Sequence, residues 1–313
     1  VKPAADHPDV EVVAVAARDR SKADGFASKH GIGRVHDSYE ALVADPEVDA
    51  VYNPLPNGLH GHWTVAALEA GKHVLCEKPF TANAAEAREV AAVTDAHPDQ
   101  VVMEAFHYRY HPFAERLREV ALGGELGEVR HIETWMNIPL PRFSDIRYRY
   151  DLAGGATMDV GCYAVHALRL LADAEPTVTW ARAQMKGPDI DRAMEADLRL
   201  PSGATGRVRC SMWSSSLLSL GARVEGDRAT MKVRNFTLPH LFGKLSVRGP
   251  GISWKERAPR GVTYRYQLDA FAEAVLRGGP VLTPPADSIA TMAVIDAIYD
   301  AAELPRRQPT PVP

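Results

Sequence analysis

The sequence predicts an α/β chain in two parts. A doubly wound parallel sheet takes roughly the first hundred residues, and an α+β unit with a large, mostly antiparallel open sheet takes the rest. Three observations carry that expectation. Short valine-rich runs alternate with helical stretches as far as residue 107, and beyond it alternating strands are set off by turn signals. The 313 residues also fill two domains at about 150 residues each.

Val10–Ala16 (VEVVAVA) reads as a strand covered on both faces. Ser21–His30 reads as a helix, with Ser21 a candidate N-cap and Gly31 just past its end. Asp49–Tyr52 is the next strand, Asn57–Ala70 a helix closed by Gly71, and His73–Cys76 a strand. Ala84–Ala96 is an alanine-rich helix and Gln100–Met103 a strand. Strands joined by helices imply parallel crossovers, and ligands in such sheets sit at the carboxyl ends of the strands. Here those ends carry Ala17-Arg18-Asp19, Asn53-Pro54-Leu55-Pro56-Asn57, Glu77-Lys78-Pro79 and Glu104.

Past residue 107, Val129–Met136 alternates, Pro139, Pro141 and Arg147–Tyr150 form a loop, and Asp159–Leu171 is a helix. Thr177–Met185, Ala193–Leu200, Thr205–Met212, Gly221–Glu225 and Arg228–Val233 follow as strands. Turns such as Pro201-Ser202-Gly203 and Gly226-Asp227 separate them, which argues antiparallel pairing. Helices Tyr266–Arg277 and Ala286–Ala302 precede a proline-rich tail.

Charge and composition narrow the function. A net charge of −4, from 36 Lys+Arg against 40 Asp+Glu, gives no basic footprint for nucleic acid. No apolar run approaches the ~18 residues of a membrane span. Cys76, Cys162 and Cys210 form neither a disulfide framework nor a Cys-x-x-Cys zinc pair, so a reducing cytoplasm is expected. His60-x-His62 and His107-x-x-x-His111 have spacings used by metal ligands, but no third ligand accompanies them, and no metal is expected.

Two segments carry chemistry. In Gly71–Pro79 a helix ends at glycine, an apolar strand follows, and Glu77 and Lys78 emerge at its carboxyl end before Pro79. A lysine there shifts its pKa by burial, or lowers a neighbour's by its charge. In Leu152–His166, Gly154 and Gly155 permit close backbone approach, Asp159 is placed to cap a helix, and Tyr163 lies four residues on along the same face. Carboxylate, phenol and lysine together make a proton-transfer group. Taken alone, a surface Glu-Lys turn, a capping Asp159 and a core Tyr163 explain the same residues.

With the loop Asn53–His60, these segments resemble the Gfo/Idh/MocA oxidoreductases over nearly the whole chain. The resemblance implies a Rossmann dinucleotide-binding domain over residues 1–107 and a substrate-binding and dimerisation domain over 108–313. It further implies a homodimer or higher homo-oligomer through the antiparallel sheet and a small-molecule substrate. By position, Lys78 lies beside the nicotinamide and the reacting oxygen, and Asp159 matches the aspartate of the second motif. Tyr163 is similar to the residue of the glucose-fructose oxidoreductase and dihydrodiol dehydrogenase-like members. Asn53, Pro54, Asn57, His60 and Glu77 are implied at the cofactor, while Glu104, His107 and Arg109 are implied near the substrate. Arg147 and Tyr150, in the loop before the glycines, are further candidates for substrate contact.

The implied reaction moves a hydride between a nicotinamide and a sugar, vicinal diol or dicarbonyl. Tyr163 serves as acid/base, Lys78 as the cation that lowers its pKa from ~10, and Asp159 as the group that orients both. Where NAD enzymes carry an acidic residue after the strand, Ala17 stands, and Arg18 suits a 2′-phosphate; NADP is expected ahead of NAD, with Asp19 turned away.

One family feature is missing from the sequence. No Gly-x-Gly-x-x-Gly occurs in it, and it opens at Val1 on VKPAADHPDV, without an opening strand. The Rossmann domain is therefore expected to be N-terminally incomplete, by about 20–30 residues. Weak cofactor binding and poor solubility of this chain are expected with it. A second reading stays open: a non-catalytic relative that binds a ligand or partner through its antiparallel sheet.

Overall fold

A computed structural model describes residues 2–216 and 218–312, so Val1 lies outside the described residues. The first unit has two parallel pieces. β1 (Ala14–Ala16) pairs with β2 (Arg34–His36) across α1 (Arg20–His30). β3 (Ala50–Asn53), β4 (His73–Cys76) and β5 (Val102–Glu104) form a separate sheet in that order. Helices α2 (Tyr39–Val43), α3 (His60–Glu69) and α4 (Ala84–Ala96) connect them, with a 3₁₀ turn at Asn57–Leu59 before α3.

Several local expectations are corrected. The strand expected from Val10 keeps only Ala14–Ala16, because its ladder to β2 is three residues long. Asp19, not Ser21, caps α1: its carboxylate accepts from the Ser21 amide at 3.0 Å and hydroxyl at 2.7 Å.

In the second unit α5 (Pro112–Leu122) leads to β6 (Val129–Asn137), and α6 (Cys162–Ala172) follows a π-helical turn at Thr157–Gly161. Then come β7 (Thr177–Lys186), β8 (Ile190–Arg199), β9 (Thr205–Ser211), β10 (Ser219–Gly226), β11 (Thr230–Arg234), β12 (Lys244–Gly249) and β13 (Ile252–Arg257). They form one eight-stranded sheet, ordered β13-β12-β11-β10-β6-β9-β8-β7. Its neighbours are antiparallel except β6 and β9, which run parallel. One face lies on α6: Ile132, Thr134 and Met136 are buried, and the Thr134 hydroxyl donates to the Ala164 carbonyl at 2.8 Å. The alternate residues of β6, Glu133 and Trp135, are only half-buried.

Helices α7 (Thr263–Arg277) and α8 (Pro285–Ala301) close the chain, and α8 packs against both α4 and α6. One hydrophobic core therefore runs from Phe80 and Ala87 through Tyr163 and Leu168 to Ile295. The tail beyond α8 is fastened down. The Thr310 amide donates to Gly58 at 2.7 Å, the Asn83 amide group to the Arg307 carbonyl at 2.8 Å, and the Arg307 side chain is fully buried. No helix among the described residues is long and apolar enough to cross a membrane.

Candidate active site

The carboxyl ends of β3 and β4 are braced before they can hold anything. The buried His60 ring puts Nδ1 2.8 Å from the Pro79 carbonyl and Nε2 2.7 Å from the Leu55 carbonyl, joining both strand-end loops. Asn53, also buried, donates to the His60 carbonyl at 3.1 Å. Both side chains expected at the cofactor are thus turned into the protein and shape its loops. Pro54 is exposed, and Asn57 donates to the Ala153 carbonyl at 3.0 Å, tying this loop to the glycine segment of the second unit. Glu77 accepts from the Tyr52 hydroxyl at 2.6 Å. Arg18 lies exposed beyond β1, its backbone amide donating to the Tyr39 hydroxyl, while Oδ1 of the neighbouring Asp19 serves as a cap.

Lys78 crosses to the second unit. Its Nζ donates to the Asp159 carbonyl at 3.0 Å and to Asp159 Oδ1 at 3.3 Å. Arg147 Nε reaches the same Oδ1 at 3.1 Å and is itself held by Asp145 at 3.0 Å. Burial alone would push the Lys78 ammonium down, but Asp159 and Glu77 outweigh it and hold the group above the ordinary lysine range. Asp159 is not a helix cap. It sits inside the π turn, a feature common at functional sites, and its carbonyl and carboxylate both face the lysine.

The glycine segment makes that placement possible. Gly155 has φ +133, and a Cβ there would run into Asp191, Arg307 and Tyr299. Asp191 Oδ2 accepts from both the amide and the hydroxyl of Thr157 at 2.7 Å, fixing the residue that opens the π turn.

Tyr163 is 5% exposed, and its hydroxyl meets His107 Nε2 at 3.1 Å. Lys78 Nζ stands 5.2 Å from the centre of the Tyr163 ring. The expected lysine–phenol contact is therefore replaced by lysine over ring and imidazole at the hydroxyl. Burial, reinforced by Glu77, pushes the Tyr163 phenol well above its ordinary value. Burial likewise lowers His107 to about 3, helped by Lys78 and His240. Tyr264, from α7, lies tilted against His107 with ring centres 4.2 Å apart. Tyr264 and His240 escaped sequence reasoning, since they reach the site from chain positions with no local motif.

Two expected pocket residues are engaged by protein partners. Arg109 turns to Glu115 at 3.5 Å. Glu104 is 1% exposed: Oε1 accepts from the Phe80 amide at 2.9 Å and Oε2 from the Ser288 hydroxyl at 2.6 Å, so it buttresses the Lys78 loop from inside. Burial raises its pKa to about 8. The sign follows from proton counting: between ~4.3 and that value the unfolded chain has released this proton while the folded chain keeps it. Stability should fall as pH rises through this window, by on the order of 5 kcal/mol. Glu104→Gln should flatten the decline, read as melting temperature against pH for both proteins; parallel curves would contradict it. Among the described residues no group of three His, Cys, Asp or Glu gathers to hold a metal ion.

A parallel-strand end that delivers a lysine into a proton-handling cluster held by a second unit is the layout of an oxidoreductase. Residues 1–105 match the family model of oxidoreductases with an NAD-binding Rossmann fold, and residues 114–232 match the GFO/IDH/MocA C-terminal domain. The chain belongs to the Gfo/Idh/MocA family. It is 39% identical over 306 residues to D-xylose 1-dehydrogenase (NADP(+)) 2 of Haloferax volcanii, covering 97% of this chain and 93% of that protein. It is 34% identical over 241 residues to the mouse trans-1,2-dihydrobenzene-1,2-diol dehydrogenase, covering 76% and 69%. A 3-ketoreductase from Actinomadura kijaniata, solved with NADP and TDP-benzene, superposes with a TM-score of 0.89 at 29% identity, covering 96% and 92%.

Proposed function

We propose that the protein is an NADP-dependent dehydrogenase or reductase acting on a CH–OH or carbonyl carbon of a sugar or vicinal diol. The observation that carries this reading is the convergence of Lys78, Asp159 and Tyr163, from two units of the chain, on one cluster. The named relatives are a D-xylose dehydrogenase, a dihydrodiol dehydrogenase and a 3-ketoreductase, which share chemistry at a CH–OH or carbonyl carbon. The nicotinamide supplies the hydride donor or acceptor when bound. The exposed Arg18 side chain fits a 2′-phosphate, and the neighbouring Asp19 turns Oδ1 back to cap its own helix.

The chain's own residues then manage the proton. Lys78 keeps its charge and has three N–H bonds, two of them directed to Asp159; the third is available to a substrate oxygen. Tyr163 holds or gives up the phenolic proton at that oxygen. Asp159 and Arg147 keep the ammonium in place. The uncovered sheet face, with Trp135 and Trp180, is the surface we assign to a second copy of the chain. Three buried, unpaired cysteines suit a reducing cytoplasm.

The test is a panel of sugars and diols, D-xylose first, with NADP⁺ and NAD⁺, followed at the reduced-nicotinamide absorbance. Turnover of no polyol would sink the reading. Arg18→Ala should weaken NADPH binding about tenfold and leave NADH nearly unchanged. Equal losses for both cofactors in calorimetric titration would move the 2′-phosphate away from Arg18.

A further inference from the structure

We propose that His107 is a positioning residue that donates a hydrogen bond from Nε2 to the Tyr163 oxygen, turning the phenolic proton toward the substrate and steadying the phenolate left when it departs. The inference rests on Tyr163 being the proton-transfer group of the proposed reaction.

The Tyr163 ring is fixed by edge-on contact with Phe106, centres 5.4 Å apart. Its hydroxyl has His107 Nε2 at 3.1 Å, while two Lys78 N–H bonds go to Asp159 and not to the phenol. One proton lies between the two atoms, and two arrangements are open. If Tyr163 donates, the imidazole proton must sit on Nδ1. That atom is buried and has no hydrogen-bond partner among the described residues. A buried N–H left unpaired is the rarer defect, so the proton belongs on Nε2 and only a lone pair is left at Nδ1. Nε2 then donates, the phenolic oxygen accepts, and the Tyr163 proton is free to point at a substrate oxygen.

This arrangement removes a difficulty in the site. A buried phenol is reluctant to ionise, and Lys78 does not bond to its oxygen. A donor already aimed at that oxygen strengthens as negative charge gathers on it. In the reductive direction the proton passes from the Tyr163 oxygen to the substrate oxygen, breaking one O–H bond and forming another. The His107 proton stays on Nε2 throughout. Tyr264 tilted against the imidazole and the 3₁₀ turn His107–Tyr110 hold the ring in register.

Two measurements test it. Nitrogen NMR of the labelled full chain, with His107 assigned by its loss in His107→Gln, should report the neutral Nε2–H tautomer from mildly acidic to mildly alkaline pH. An Nδ1–H tautomer, or an imidazolium at neutral pH, would overturn the proposal. This arm needs no substrate, so it stands apart from any failure to find turnover. In the kinetic arm, His107→Leu should lose about tenfold to a hundredfold in kcat with the KM for NADP unchanged. His107→Gln, which keeps an N–H at similar reach, should recover most of that loss. The pair Tyr163→Phe/His107→Leu should be no slower than Tyr163→Phe alone, because His107 acts through the phenol. Additive losses, or a Gln variant as slow as the Leu variant, would overturn the proposal.

Discussion

Replacing Arg307 with alanine is expected to remove about 3–5 kcal/mol of folding stability, the cost typical of stripping one partner from a buried ion pair. Arg307 Nη2 meets Asp191 Oδ1 at 2.8 Å with both side chains 0% exposed. Its Nε donates to the Gly154 carbonyl at 2.6 Å, and its guanidinium centre stands 4.3 Å from the Tyr299 ring centre. Burial already pushes the Asp191 carboxyl upward, with Arg307 as the chief opposing influence. Without the arginine, Asp191 takes up a proton or carries an uncompensated charge, and either outcome destabilises the fold. The effect should spread to the site, because Asp191 holds Thr157 and Thr157 opens the turn that presents Asp159. Urea unfolding should show a lower midpoint with an unchanged slope. Arg307→Lys should fall between the two, keeping the charge but losing the planar fork. An unchanged midpoint in the alanine variant would show that the tail anchors nothing.

That anchor was invisible in the sequence. The tail reads as a proline-rich end, and the residue it needs lies 116 positions upstream in β8. Elements with a local cause were legible. β4 (HVLC) has its last three residues buried, so its apolar run is continuous and short. β12 (KLSVRG) and β13 (ISWKER) do alternate, but each sets only two apolar residues, Leu245 and Val247 or Ile252 and Trp254, in a short polar run that resembles a loop before its partners are known. The opposite error occurred at Val10–Val13, where valine content suggests a strand but the ladder to β2 begins at Ala14, with one further bond from the Arg34 amide to the Val13 carbonyl.

The site divides along the same line. Lys78 was legible because a strand-end rule places it, and Asp159 because the paired motifs are specific together. Their mutual contact was expected and is present. The phenol's environment was not legible. A four-residue spacing presumes a regular α-helix, whereas a π turn runs from Thr157 to Gly161 and sets Asp159 within it. The residues that meet Tyr163 and its partner, His107 and Tyr264, come from the end of the first unit and from α7. Asn53 and His60 show the converse: their position in the strand-end loop was correct, but their side chains are spent on carbonyls and neighbouring groups inside it.

Lys78→Ala should lower kcat by about a thousandfold, the combined scale of losing a proton-transfer partner and a charge at the reacting oxygen. The argument is geometric first. Lys78 is the cation that β4 delivers to the cluster, and its two bonds to Asp159 leave one N–H for substrate. Because neighbouring carboxylates hold its pKa above the ordinary lysine range, the ammonium persists as pH rises through neutrality and beyond. The wild-type rate should therefore show no alkaline loss from this group within the ordinary working range. Removing the side chain also leaves Asp159 to Arg147 alone, whose contact at 3.1 Å pulls the carboxylate toward the exposed loop. Arginine at position 78 should not rescue, since a planar fork cannot place one N–H where the ammonium stands. Tyr163→Phe should fall by a similar factor, and the double variant should lose far less than the product of the two, as groups acting on one proton do. NADPH titration separates chemistry from binding: a near-normal dissociation constant is expected for the alanine variant. Turnover within tenfold of wild type would place Lys78 outside the reacting atoms.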